Sequence, residues 1–236
     1  MLGILASDFI KIKRKLIWFL IFLGPFGVVA LEAVNFGLRY DYLTKVYEQN
    51  VWMGLIEEAS YLAIPALMLG LTLIASMISN IEHQTNAWKQ LLALPVSKLQ
   101  VFTGKFILTA ILLFVSSTFL IVGVIALGIF LKFGVDIPML PLLKMAYFPY
   151  LAAMPFIAVQ IWLSITMKNQ AIPLVIGIVG TILSLMSFRF PDWMPWKWPS
   201  LQNSWEDPMY SVLFGIASGL AIYLIGLIDF ARKDVK

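Results

Sequence analysis

The chain has 236 residues, of which 61% are hydrophobic and only 13% charged, with a mean hydropathy of +0.89. Soluble domains do not reach that apolar content, so the bilayer is the solvent, and the net charge of +4 reads as a topology signal rather than a nucleic-acid surface. Without cysteine, and with His83 as the only histidine, the chain has no basis for disulfides, thiol chemistry or a Cys- or His-built metal centre, and no metal is expected in it.

Residues 1–15 place Leu2, Leu5, Ala6, Phe9 and Ile12 on one helical face, with Lys11, Lys13, Arg14 and Lys15 at the end. This predicts an amphipathic helix in the interface, its basic end on anionic headgroups. A signal peptide cleaved after Val28-Val29-Ala30 is the weaker reading, because the apolar run is too long for an h-region.

Six apolar segments follow, at about 16–36, 59–79, 106–131, 145–167, 171–188 and 209–228. Each approaches the roughly 20 residues of a spanning helix, and lipid admits no other backbone here. The expected fold is an all-α integral membrane protein, 1–236 as one transmembrane domain with six transmembrane helices. An even number of spans puts both termini on one side. That side holds Lys11, Lys13, Arg14, Lys15, Lys89, Lys98, Lys105, Lys168, Arg232, Lys233 and Lys236, eleven basic residues against six on the other, so it is expected to be cytoplasmic.

Several polar groups stand near or inside the spans. Glu32 lies toward the outer end of the first, where headgroup placement competes with a substrate role. Pro65, Pro149 and Pro155 predict kinks. Gln160 in the fourth span reads as an interhelical hydrogen bond. Between spans one and two, residues 37–58 read as a polar connection. Glu57-Glu58 resembles the glutamate pair of intramembrane CAAX-type proteases, but Leu62 stands where those have Arg and no His follows His83, so an enzyme of that type is set aside. Gly104-Lys105 is followed by Phe106 and is no phosphate loop, so this chain is not expected to hydrolyse ATP.

The longest polar interruption between the early spans runs from Glu82 to Lys105. Trp88, Leu91 and Leu92 recur at helical spacing, while Thr85, Asn86, Lys89 and Gln90 lie off that stripe. Thr85 or Asn86 caps the start, Pro95 stops the helix, and Ser97 with Gln100 form a capping-box pattern that opens the next helix; Lys98 follows. Such an amphipathic helix needs an apolar partner, either another protein or the membrane surface. Farther on, residues 189–208 hold Trp193, Trp196, Trp198 and Trp205 among four prolines, which forbids one continuous helix and suits the outer headgroup layer. In the last span Ser211, Gly215 and Gly219 form a small-residue line for close packing against a helix of the same chain or another subunit.

The basic N-terminal helix, the six spans, the run Trp88-Lys89-Gln90-Leu91-Leu92 then Leu94-Pro95-Val96-Ser97-Lys98 with Glu82 upstream, and the broken outer segment together resemble an ABC-2-type exporter permease. The run itself is similar to permeases of lantibiotic-immunity and bacitracin-resistance transporters. The resemblance implies that 81–98 is a cytoplasmic coupling helix, with Glu82, Thr85, Trp88, Lys89, Leu91, Leu92, Pro95, Ser97 and Lys98 meeting the ATPase. It implies no cofactor in this chain, with ATP and Mg bound by the partner. It implies two ABC ATPase subunits, a second permease, identical or homologous, and a place in the bacterial cytoplasmic membrane. Glu32, Trp193, Trp196 and Trp198 are the candidate substrate-facing residues. No nucleic-acid partner is expected; membrane lipids are. A membrane sensor or scaffold, whose cytoplasmic helix binds a signalling partner, is the competing class.

Overall fold

The computed structural model describes residues 2–13, 15–84 and 97–232. Helices dominate, and there is no strand among the described residues. Helix α1 spans Leu2–Ile12, α2 Ile17–Val46, α3 Val51–Gln84 and α4 Lys98–Phe130. Helices α5 (Met139–Ala152) and α6 (Met154–Thr166) meet at a 43° bend. Helix α7 spans Ala171–Leu185, two 3₁₀ pieces cover Ser187–Arg189 and Pro195–Ser200, and α8 spans Pro208–Arg232.

Helices α2, α3, α4 and α8 are long and apolar enough to cross a membrane, and the bent α5–α6 pair makes a fifth when taken as one span. Six spans were expected. The difference lies in α7, whose 15 residues reach about 22 Å at 1.5 Å per residue, short of a hydrocarbon core of about 30 Å.

The helices overrun the apolar segments that announce them. Residues 37–58 were expected as a polar connection, but α2 continues to Val46 and α3 begins at Val51, leaving a short turn. Packing keeps this stretch helical. Phe36, Leu43, Trp52 and Leu55 are buried in one cluster with Ile121, Val124 and Leu142 of α4 and α5. The Tyr47 ring fills the space a Cβ on Gly54 would need, and the Trp52 ring does the same at Gly128. Tyr47 donates to Glu58 Oε1 at 2.9 Å, and burial with that carboxylate beside it pushes the phenol up to about 12. Only Arg39, with φ −124° and ψ 28°, breaks the helical backbone of α2.

The α5–α6 bend has a local cause. Pro155 opens α6 without an N–H, and Pro149 sits one turn before the break. Helix α8 uses the dent. A Cβ on Gly215 would stand 2.5 Å from Ala152 Cα, and one on Gly219 2.6 Å from Met154 Cβ. The small-residue line therefore packs within the chain, with Ser211 buried on the same face and accepting from Asn203 Nδ2 at 3.2 Å. Gln160 donates to Ser76 Oγ at 3.1 Å and to the Pro173 carbonyl at 2.9 Å, tying α6 to α3 and α7.

Candidate functional site

Helices α3 and α4 form the two roots of segment 85–96. Thr85, Trp88, Lys89, Leu91, Leu92 and Pro95 lie outside the described residues. The roots themselves are defined. Ser97 caps α4 by accepting from the Gln100 amide at 3.2 Å, and its own amide donates to Gln100 Oε1 at 3.3 Å, the reciprocal pair its sequence predicts. Lys98 donates to the Ala231 carbonyl at 3.4 Å, which brings the end of α8 to the root of α4.

Glu82, two residues before the end of α3, is 1% exposed. One carboxylate oxygen lies 2.6 Å from Lys105 Nζ of α4 and the other 3.0 Å from Lys11 Nζ of α1. Lys105, itself 1% exposed, also donates to the Ile78 carbonyl at 3.3 Å. Lys11 closes the cluster on buried Asp8 at 3.2 Å. Two carboxylates and two ammonium groups sum to zero, the arrangement that makes buried charge tolerable. Burial alone would pull Lys11 down, but hydrogen bonding and attraction from Glu82, then Asp8, outweigh it and hold its pKa above the usual lysine value. Gly104 lets α1 come close: a Cβ there would stand 3.2 Å from Ile4 Cγ2.

Two expectations are corrected here. Lys11 was placed on lipid headgroups, yet it turns to Asp8 and Glu82, because α1 docks with Ile12 buried beside Ile17 and Leu108. Lys105 was counted among the basic residues of the termini side, yet it is interior; without it the count is ten to six, and its sign is unchanged. The signal for Lys105 was a lone lysine two turns inside an apolar helix. On the other flank, His83 Nε2 donates to the Ser164 carbonyl at 3.1 Å, and Gln170 Nε2 donates to the same carbonyl at 3.1 Å, tying the α3 root to the end of α6. The two flanks of segment 85–96 thus touch α1, α6 and α8 directly.

The other candidates lie elsewhere. Glu32, expected near the outer headgroups or at substrate, is 3% exposed, shares a face of α2 with Val28 and Phe36, and accepts from Asn35 Nδ2 at 3.2 Å. The tryptophans diverge. Trp193 points outward at 73% exposed, while Trp198 is buried and donates to the Asp192 carbonyl at 2.8 Å. Trp196 is half-buried, packs on Phe156 of α6, and lines a cavity of about 320 Å³ with Gln160 and Gly180. Asp192 pins this segment, with Lys197 at 2.8 Å and the Ser204 amide at 3.2 Å; those two contacts hold its carboxyl down to about 2.

Residues 4–184 match a family model described as ABC-2 family transporter protein. No curated protein and no solved structure matches the chain. The matched stretch includes the whole Glu82 junction and ends before the tryptophan segment and α8.

Proposed function

The chain belongs to the ABC-2 family of transporter proteins, and on that premise we propose that it is the permease of an exporter that expels an amphipathic peptide antibiotic or a lipid-linked compound. ABC-2 membrane subunits generally work with ABC ATPases, and we assign the ATP and Mg to those partners. We assign two ATPases and a second permease, identical or homologous, to the working assembly, in the bacterial cytoplasmic membrane. Helix α7, extended by Ser187–Arg189, completes a sixth crossing in this reading, and segment 85–96 seats in a cleft of the ATPase.

The observation that carries the reading is the junction at Glu82. A segment that transmits motion needs roots that move as one piece with the helices they drive. A buried ion pair at 2.6 Å and a half-buried one at 3.0 Å clamp the α3 root to α4 and α1. When the ATPases close on ATP, the coupling segment moves with them, and the two permeases repack between discrete arrangements.

The test is co-purification. Interface cores enrich Trp among residues whose truncation costs about 2 kcal/mol or more, about thirtyfold in affinity. Trp88→Ala should therefore reduce the ATPase recovered with the permease in detergent and uncouple hydrolysis from export. Full recovery with normal substrate-stimulated hydrolysis would leave the segment as a helix on the inner leaflet and end this reading.

A further inference from the structure

Among the described residues the bundle keeps an interior space that its own side chains leave unfilled. It lies between α3, α6, α7 and Ile222 of α8 under the tryptophan segment, about 320 Å³ in volume, walled chiefly by Met68, Leu71, Phe156, Ile176 and Trp196, with Val159 beside them. Small-molecule sites occupy roughly 300–1,000 Å³. Two polar side chains at its edge are committed inside the protein: Gln160 to Ser76 and Pro173, and Thr72 to the Met68 carbonyl at 2.9 Å. Trp196 Nε1 is not. It is buried, has no partner, and lies over Gly180, where a Cβ would stand 3.6 Å from it. Water is a poor answer to that donor, because an ordered water needs two to four polar partners and apolar cavities stay dry. A buried donor left open is disfavoured, and a ligand that brings an acceptor relieves it.

The same α3–α7 seam changes character toward the outer end. There a second space of about 490 Å³ is lined by Glu57, Ser60, Ser184, Ser187, Ser200 and Gln202. Apolar walls, one open donor and then hydroxyls with a carboxylate follow one another along two helices.

We propose that this seam binds a single-chain amphiphile: its apolar chain lies among Met68, Leu71, Phe156 and Ile176, an ester or amide carbonyl accepts from Trp196 Nε1, and a cationic head faces Glu57. The inference deepens the exporter reading by naming the class of molecule carried; binding itself does not depend on that reading.

The chain lacks cysteine, so Val159→Cys supplies one thiol at the cavity wall and Leu38→Cys, on an 82% exposed position, supplies a control. The measurement is the rate of modification by a small methanethiosulfonate in lipid nanodiscs. The probes are palmitoylcholine and hexadecyltrimethylammonium, which share a long chain and a cationic head but differ in the ester carbonyl. Palmitoylcholine should slow modification at Val159→Cys and not at Leu38→Cys. It should do so at about threefold to tenfold lower concentration than the alkyl ammonium, as one neutral hydrogen bond implies. Trp196→Phe keeps the ring and should erase that difference. Absence of protection, equal protection at both thiols, or an ester preference that survives Trp196→Phe overturns the site. Protection as expected, without any stimulation of hydrolysis in the ATPase complex, leaves the site standing and removes the transport role.

Discussion

Glu82 holds two cations with one carboxylate, and they are not equivalent. Lys105 is as buried as Glu82, whereas the Lys11 side chain is 33% exposed. Losing the carboxylate therefore weighs more on Lys105 than on Lys11, since Lys105 loses a fully buried counter-charge while Lys11 keeps Asp8 and water. Removing one partner of a buried ion pair costs about 3–5 kcal/mol, while replacing both by apolar side chains of similar volume is often close to neutral. Glu82→Gln should accordingly lower the thermal unfolding temperature in detergent by far more than the double change Glu82→Leu with Lys105→Met. If the two variants unfold together, the ion pair is not what holds α3 to α4. The double variant also separates stability from coupling: it should fold and still bind the ATPase, yet lose export, because the α1 tether through Lys11 goes with the carboxylate.

At the scale of the helices, glycine has opposite meanings in α2 and α8. A Cβ on Gly27 meets nothing within 4 Å, so Gly27→Ala should stabilise α2 by up to about 1 kcal/mol through helix propensity. Gly215→Ala receives the same gain but places its methyl 2.5 Å from Ala152 Cα. Backbone cannot rotate away as a side chain can, and overpacking costs about 1–3 kcal/mol, so the loss wins. Unfolding temperatures of the two variants should move in opposite directions; a shared direction would mean α8 does not rest in the α5–α6 bend. The small-residue line was legible in the sequence because spacing of four is a local property of one helix. The Ser97–Gln100 capping box was legible for the same reason. Lys105 was not, since its partner lies 23 residues away across segment 85–96 and no local period links them. Nor were the true ends of α2 and α3. Hydropathy marks the part of a helix bathed in lipid, and it is silent about turns held by Tyr47 and Trp52 beyond that layer. The cavity beside Trp196 was equally hidden, because it is a gap between four helices and a 3₁₀ piece rather than a feature of any one of them.

For the molecule as a whole, the contacts fix which ends lie together. Lys11 of α1 meets Glu82, and Lys98 meets the Ala231 carbonyl of α8, so both ends of the described chain gather at the roots of segment 85–96. The tryptophan segment begins past the far end of α7 and precedes α8, which places it at the other end of the bundle. The proposed six crossings join those facts in a bilayer, since an even number returns the chain to the side it started from. In the six-crossing reading proposed above, helix α7 crosses despite its length, with Ser187–Arg189 continuing its path and the bilayer thinning locally, at a fraction of a kcal/mol per Å of mismatch. We propose, from the surplus of Lys and Arg, that the end with the termini faces the cytoplasm. Because the chain has no cysteine, a membrane-impermeant maleimide reads this out in intact cells. Ser204→Cys, exposed in the tryptophan segment, should be labelled from outside, and Lys13→Cys, exposed just past α1, only after lysis. Labelling of both from outside would mean that α7 does not cross. The reverse pattern would keep the six crossings and turn the whole bundle over, placing segment 85–96 where no cytoplasmic ATPase reaches it.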